Sequence, residues 1–348
     1  MFGSRFISIS MMQIRRWFSL TSIGLLATTS ALALWKVPPL EAQRSHEVVL
    51  EPITLTGTEV EGTAYIPDNQ VPSNRPIEGP IRAIVNTDDR TPVLSRRYPW
   101  SAIGRVDWVD ADGIVQGACT GTLIGPSLVL TNAHCLIDEA TNEPTKLSIT
   151  FRPNLIQGQA NDTAHVIAYE YGESPFTGDQ TEDWALLTLD HPLGETYGYL
   201  GWRTVDFTDT ATLTEADGQI SVVGYSGDFP TDSLGGLGAP GETAGLSADC
   251  SVLLVVPEGA LAGSLIHSCD TNPGASGAPL FALFDDGDYY IVGLHAGSVE
   301  LLENITLPTG EQTEILNRGI PVSRWSQQAA TLRGNMRRTM KQKVQQDK

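Results

Sequence analysis

From about Tyr98 the chain alternates short apolar runs with clusters of Gly, Pro, Asp and Asn. Runs at 102–109, 121–124, 127–131, 147–151, 164–169, 184–189, 220–223, 251–256, 278–284 and 289–294 are rich in Val, Ile, Leu, Thr and aromatics. Such runs read as strands. Many short strands separated by turn residues predict a sandwich or barrel architecture. Helical periodicity is convincing only near the end, from about Val322 to Met340. No internal repeat interrupts this plan.

The flanks differ in character. Residues 34–82 are proline-rich and polar, with little that reads as core. They are expected to be a propeptide or linker. Upstream, Arg5, Arg15 and Arg16 precede an apolar run from Trp17 to Leu34, and Ala31-Leu32-Ala33 offers a small-x-small cleavage site. Residues 1–33 therefore read as a secretory signal, with Arg15-Arg16 resembling a twin-arginine export signature. After its cleavage no membrane attachment is expected. The product would be secreted or periplasmic. The extreme C-terminus is basic, with Arg333, Arg337, Arg338, Lys341, Lys343 and Lys348 against Asp347. It reads as a solvated helix end whose cations complement the helix dipole.

A length of 348 residues exceeds what one hydrophobic core usually serves, so two subdomains are expected. The formal net charge of -19 argues against a nucleic-acid partner, since phosphate binding needs a basic face. The four cysteines, Cys119, Cys135, Cys250 and Cys269, allow three pairings. Proximity in the chain favours Cys119–Cys135 and Cys250–Cys269. No CxxC spacing suggests zinc, and no acidic loop has calcium-loop spacing.

Three segments carry chemistry. In Thr131-Asn132-Ala133-His134-Cys135 a histidine sits beside a cysteine whose disulfide would fix a general base in place. In Glu182-Asp183-Trp184-Ala185-Leu186-Leu187 an acid precedes an apolar strand, where a buried carboxylate can orient an imidazole. Asp179 and Asp190 compete for that role. In Cys269-Asp270-Thr271-Asn272-Pro273-Gly274-Ala275-Ser276-Gly277 glycines flank a serine, and Gly274 allows its own N–H and that of Ser276 to form an oxyanion hole. The chain order His, Asp, Ser differs from the subtilisin and α/β-hydrolase orders.

These strings resemble the trypsin-like (chymotrypsin) serine peptidases, in particular the bacterial glutamyl endopeptidases, over about residues 83–323. The resemblance implies an all-β fold of two antiparallel β-barrels packed face to face. Residues 83–200 would form the first barrel, 201–323 the second, and 324–348 a C-terminal helix with its basic tail. It implies a serine endopeptidase with His134, Asp183 and Ser276 as catalytic triad, no cofactor or metal, protein or peptide substrates, and a monomer. Ala83-Ile84-Val85-Asn86-Thr87 resembles the family's mature N-terminus, so cleavage would fall after Arg82. The Ala83 amine, Thr271 and His295 would then receive an acidic P1 side chain. Asp270 opposes this, because a carboxylate lining the pocket favours Arg or Lys instead. Two further readings are a non-catalytic binding protein on a protease fold and a quality-control protease with an added peptide-binding domain.

Overall fold

The computed structural model describes residues 46–48, 50–55, 59–70, 77–79, 88–231, 234–307, 310 and 312–346. The export segment, Arg82 and Ala83 lie outside the described residues.

The first half forms a closed six-stranded antiparallel barrel. Its strands are β1 (Ile103–Val109), β2 (Val115–Gly125), β3 (Leu128–Thr131), β4 (Ser148–Pro153), β5 (Ala164–Tyr171) and β6 (Ala185–Leu189). They follow one another as β4-β5-β6-β3-β2-β1, and β1 pairs β4 to close the ring. Val106, Leu123, Leu130, Phe151 and Leu186 meet inside it, each fully buried. β5 is the most exposed strand of the ring: only Ala164 is buried, and Ile167 through Glu170 face outward past a register irregularity between Val166 and Ala168.

The second half is built on β7 (Ile220–Gly224), β8 (Gly245–Cys250), β9 (Val252–Val255), β10 (Leu265–His267), β11 (Pro279–Leu283), β12 (Tyr289–Thr306) and β13 (Gln312–Pro321). The order is β9-β10-β13-β12-β11-β7-β8. β8 and β9 are consecutive stretches of chain separated by Ser251 alone, so the sheet curls back on itself through a bent strand. Ser251 N–H donates to Ser268 Oγ at 3.0 Å, and Ser268 N–H donates to the Ser251 carbonyl at 3.0 Å. The Cys250–Cys269 disulfide brackets this corner. β12 and β13 continue as a hairpin in which Ile305 still faces Thr313.

Sequence reading finds the strand positions of the first barrel but shortens β2 and β12 and omits β8, β10 and β13. Those segments carry Asp, His, Asn and Arg among their apolar residues, and what pairs them is distant in the chain. Part of the stretch before residue 83 is also core. Ile53 and Leu55 are buried against the second barrel, and Glu59–Gly62 pairs with Gly201–Thr204, which lies beside β12. Single apolar residues among prolines give no periodic signal, so this docking is invisible without the partner surface.

A short 3-10 turn, Val322–Arg324, leads into the helix α1, Ser326–Gln346. Trp325 is fully buried and meets Trp202 edge-on, ring centroids 5.6 Å apart. Ala329 and Arg333 continue the buried stripe, with Leu332 and Met336 packed partly against the core. Arg333, expected in a solvated basic tail, is buried instead: its guanidinium lies 4.5 Å from the Tyr199 ring centroid and 5.1 Å from that of Trp202. Aromatic faces stabilise the cation there. Among the described residues no helix is long and apolar enough to cross a membrane.

Trp325→Ala removes the anchor of α1. The expected cost is about 3–5 kcal/mol, typical of a buried large aromatic. Denaturant unfolding should show the midpoint falling; an unchanged midpoint would place the helix outside the cooperative fold.

Candidate active site

His134 is carried by the 3-10 turn Ala133–Cys135, which follows β3 directly. The turn is pinned twice: Cys135 is disulfide-bonded to Cys119 on β2, and Trp108 Nε1 donates to the Cys135 carbonyl. The His134 N–H donates to Asp183 Oδ1 at 3.0 Å, and the ring Nδ1 meets Asp183 Oδ2 at 2.8 Å. A buried carboxylate only accepts, so the proton lies on Nδ1 and Nε2 is left as the acceptor. Asp183 is almost wholly buried, while the His134 side chain keeps 23% of its surface open. Asn132 Nδ2 also donates to the Asp183 carbonyl at 2.7 Å.

The competing acids are engaged elsewhere. Asp179 caps the turn Gln180–Glu182, accepting from the Thr181 N–H at 2.8 Å. Asp190 accepts from the His165 N–H at 3.1 Å and pairs with His191 Nδ1 at 2.7 Å.

Ser276 reaches this cleft from the second barrel. Its carbonyl accepts from the Thr120 N–H at 2.8 Å and lies 3.9 Å from Cys135 Sγ, beside the histidine turn. Thr120 Oγ1 donates to the Gly274 carbonyl at 2.9 Å and accepts from the Tyr225 N–H at 2.9 Å. Gly274 has φ +101°, and a Cβ there would stand 2.4 Å from the Tyr225 carbonyl oxygen. Gly277 has φ +83°, and a Cβ there would stand 2.2 Å from the Thr120 carbonyl oxygen. Glycine is required at both on conformational and steric grounds. Among the described residues, the N–H groups of Gly274 and Ser276 donate to no other group. Ser276 Oγ likewise has no hydrogen-bond partner there; such bonds commonly tighten only when substrate binds.

A cavity of about 600 Å³ adjoins the serine loop, lined by Asp270, Thr271, Asn272, Ser298, Thr313 and Asn317 among others. Thr271 and Asp270 therefore share one wall. His295 is not in the lining: it is buried, and its Nδ1 meets His267 Nε2 at 3.2 Å. Burial, followed by the charges of His267, Arg318 and His134, holds His295 well below the usual histidine range. Burial also pushes His267 down to about 3. His295 is thus neutral near pH 7, able to donate or accept a hydrogen bond but not to supply a charge. The third expected member of this receptor, Ala83, lies outside the described residues.

Sequence reasoning missed Thr120, His267 and Arg318. Thr120 carries no signal in the sequence beyond its place next to Cys119. His267, two residues before Cys269, was a visible signal. Arg318 in Ile315-Leu316-Asn317-Arg318-Gly319-Ile320 was another, being a lone cation in an apolar strand.

The cluster Cys119, His134 and Cys135 brings possible metal donors within 4.8 Å of one another, but both sulfurs are bonded to each other. A disulfide lacks the thiolate that binds zinc.

The chain is similar to several known proteins. The model of the trypsin-like peptidase domain matches residues 119–294. Glutamyl endopeptidase of Bacillus licheniformis is 27% identical over 250 residues, covering 68% of this chain and 66% of the relative, just under two thirds of that protein's length. A protein named extracellular metalloprotease from Bacillus subtilis is 20% identical over 304 residues, covering 81% of this chain and 89% of the relative. Among solved structures, a Glu endopeptidase in complex with MPD gives a TM-score of 0.48 at 23% identity, covering 70% of this chain and 93% of that one. The protease Anisep from Arthrobacter nicotinovorans gives 0.45 at 18% identity, covering 67% and 97%.

One acidic neighbour of the cavity has a consequence for stability. Asp89 is pushed up to about 7, first by burial and next by the charges of Asp270, Asp88 and Asp249. Its Oδ1 is buried and has no hydrogen-bond partner among the described residues. A carboxyl raised in the folded state binds its proton more tightly than in the unfolded chain. Its contribution therefore turns against folding as pH rises from about 4 to about 7. Asp89→Asn should flatten that loss, so the variant gains stability over the parent at pH 8 and not at pH 4. Thermal unfolding at both pH values checks it; an equal change at both would mean that Asp89 is not protonated in the fold.

Proposed function

The chain belongs to the family of trypsin-like peptidase domains, and from that premise we propose that it is an exported serine endopeptidase acting on protein or peptide substrates. The observation that carries the proposal is the double contact of His134 with Asp183, at 3.0 and 2.8 Å, in a turn against which the Ser276 loop is packed. Asp183 fixes the ring tautomer, so His134 Nε2 is the atom available to take the Ser276 hydroxyl proton. Ser276 Oγ then attacks the scissile carbonyl. The N–H groups of Gly274 and Ser276 stabilise the oxyanion, each donor being worth about 3–4 kcal/mol in comparable sites. His134 returns the proton to the leaving amine, and a water clears the acyl-enzyme by the same route. Two disulfides suit a chain that folds outside the reducing cytoplasm.

The preferred substrate bond follows an acidic P1 residue. Thr271 on the cavity wall and the 27% identity to a glutamyl endopeptidase support this. The amine of Ala83 would supply the positive charge of the carboxylate receptor, whereas His295, neutral and buried outside the cavity lining, would not touch the substrate carboxylate directly. One observation favours a second reading, cleavage after Arg or Lys: Asp270 lines the same cavity.

The test uses protein exported by cells expressing the full chain, incubated with a denatured protein mixture. Ser276→Ala should abolish cleavage, by about 10⁶-fold as for comparable nucleophile deletions, with near-UV circular dichroism unchanged. Retained cleavage in that variant would remove Ser276 from its role. New termini after Glu or Asp, read by mass spectrometry, support the acidic pocket. Termini after Arg or Lys assign the pocket to Asp270.

A further inference from the structure

Arg318 projects from β13 of the second barrel and is buried, with a side-chain exposure of 8%. Its guanidinium makes three contacts. Nη1 donates to the Gln180 carbonyl at 2.8 Å, in the turn that precedes Asp183. Nη2 donates to the Ala296 carbonyl at 3.2 Å, on β12. The same Nη2 stands 3.7 Å from Asp183 Oδ2, the oxygen that holds His134 Nδ1.

Two neutral carbonyls alone do not account for a buried cation. A neutral amide could tie the same carbonyls without the cost of taking a full charge out of water. The charge is compensated by one group, Asp183, which opposes the downward push that burial exerts on the guanidinium. The titratable groups packed around it come from several elements. They are Asp183 after the Gln180–Glu182 turn, His134 on its own turn, His295 on β12 and His267 on β10. Burial keeps both His267 and His295 far below the usual histidine range, so Asp183 and Arg318 are the opposed charges of this group.

Resting on the serine endopeptidase reading, we propose that Arg318 is a positioning residue for catalysis: it orients Asp183 at Oδ2, the oxygen that also holds His134 Nδ1, and its charge makes a second proton on the His134–Asp183 pair less favourable. The sign follows from electrostatics. A positive charge beside the pair disfavours an added proton, and its removal makes the pair more avid for one. The acid limb of the rate profile therefore moves to higher pH when Arg318 becomes neutral.

Arg318→Met keeps the bulk without the charge, and Arg318→Lys keeps the charge without the fork. For Arg318→Met, kcat/KM at neutral pH should fall about 10- to 100-fold, mainly in kcat, and the acid limb should rise by about 0.5–1 pH unit. Lys should return the limb close to its original place while recovering only part of the rate. A limb that stays in place in Arg318→Met, or moves equally in Met and Lys, would overturn the proposal and leave Arg318 a tie between barrels. If Met does not fold, Arg318→Gln, which keeps an uncharged N–H donor at this position, is read for the same limb. The inference can be judged apart from turnover by following the His134 ring resonance in the Ser276→Ala protein with and without Arg318→Met. An inflection that rises without Arg318 supports it even where no peptide is cut, and an inflection that does not move refutes it even where the parent cuts well.

Discussion

The cleft depends on the seating of the Ser276 loop against Thr120. That threonine lies in the wall of the first barrel with no exposed surface. Its N–H, its hydroxyl and its carbonyl are all engaged: with Ser276, with Gly274 and Tyr225, and with the Thr131 hydroxyl at 2.7 Å. Thr131 ends the strand that delivers His134. One residue thus ties the Ser276 loop of one barrel to the strand of the other that delivers His134. The approach is close enough that a side chain at Gly277 would strike both Thr120 and Thr131. This is why a glycine follows the serine, and why the Cys119–Cys135 disulfide beside it matters. The disulfide fixes the next residue along β2 to the histidine turn.

Guanidinium groups make further ties in an acidic protein. Arg105 and Arg152 both donate to the buried Asp107, each at 2.6 Å, and Arg105 reaches on to the Gly241 carbonyl at 2.7 Å. Arg90 grips Asp88 and Asp228 in two forks, and Asp228 in turn accepts from Asn272 on the cavity wall at 2.6 Å. Arg318 joins the second barrel to the turn before Asp183. A planar fork with several donors satisfies carbonyls and carboxylates from separate segments at once, which an ammonium does less well. The chain carries 22 basic residues against 41 acidic ones, so acids outnumber the cations available to pair with them. Asp89 shows what like charge does in such a chain: burial and the charges of Asp270, Asp88 and Asp249 raise it.

Much of the candidate site was legible in the chain because it resides in contiguous strings. A histidine next to a cysteine and a serine between glycines announce local conformations that few other functions need. The alternation of apolar and turn residues likewise announces an all-β fold, since a strand's facing pattern is a property of neighbouring residues. Length led to the expectation of two subdomains, and helical periodicity confined to the end of the chain led to that of a terminal helix.

Tertiary structure decided what depends on residues distant in sequence. It chose Asp183 over Asp179 and Asp190 as the partner of His134, because only packing determines which carboxylate faces an imidazole. It buried Ile53, Leu55 and Arg333, whose surroundings are polar in sequence but aromatic or apolar in space. It brought Arg318 to Asp183 and His267 to His295 through strand pairing that no local pattern encodes. It also set Asp270 and Thr271 on one cavity wall. The sequence determined which groups were present and in what local conformation; the electric field that each one feels is a sum over partners supplied by the folded chain.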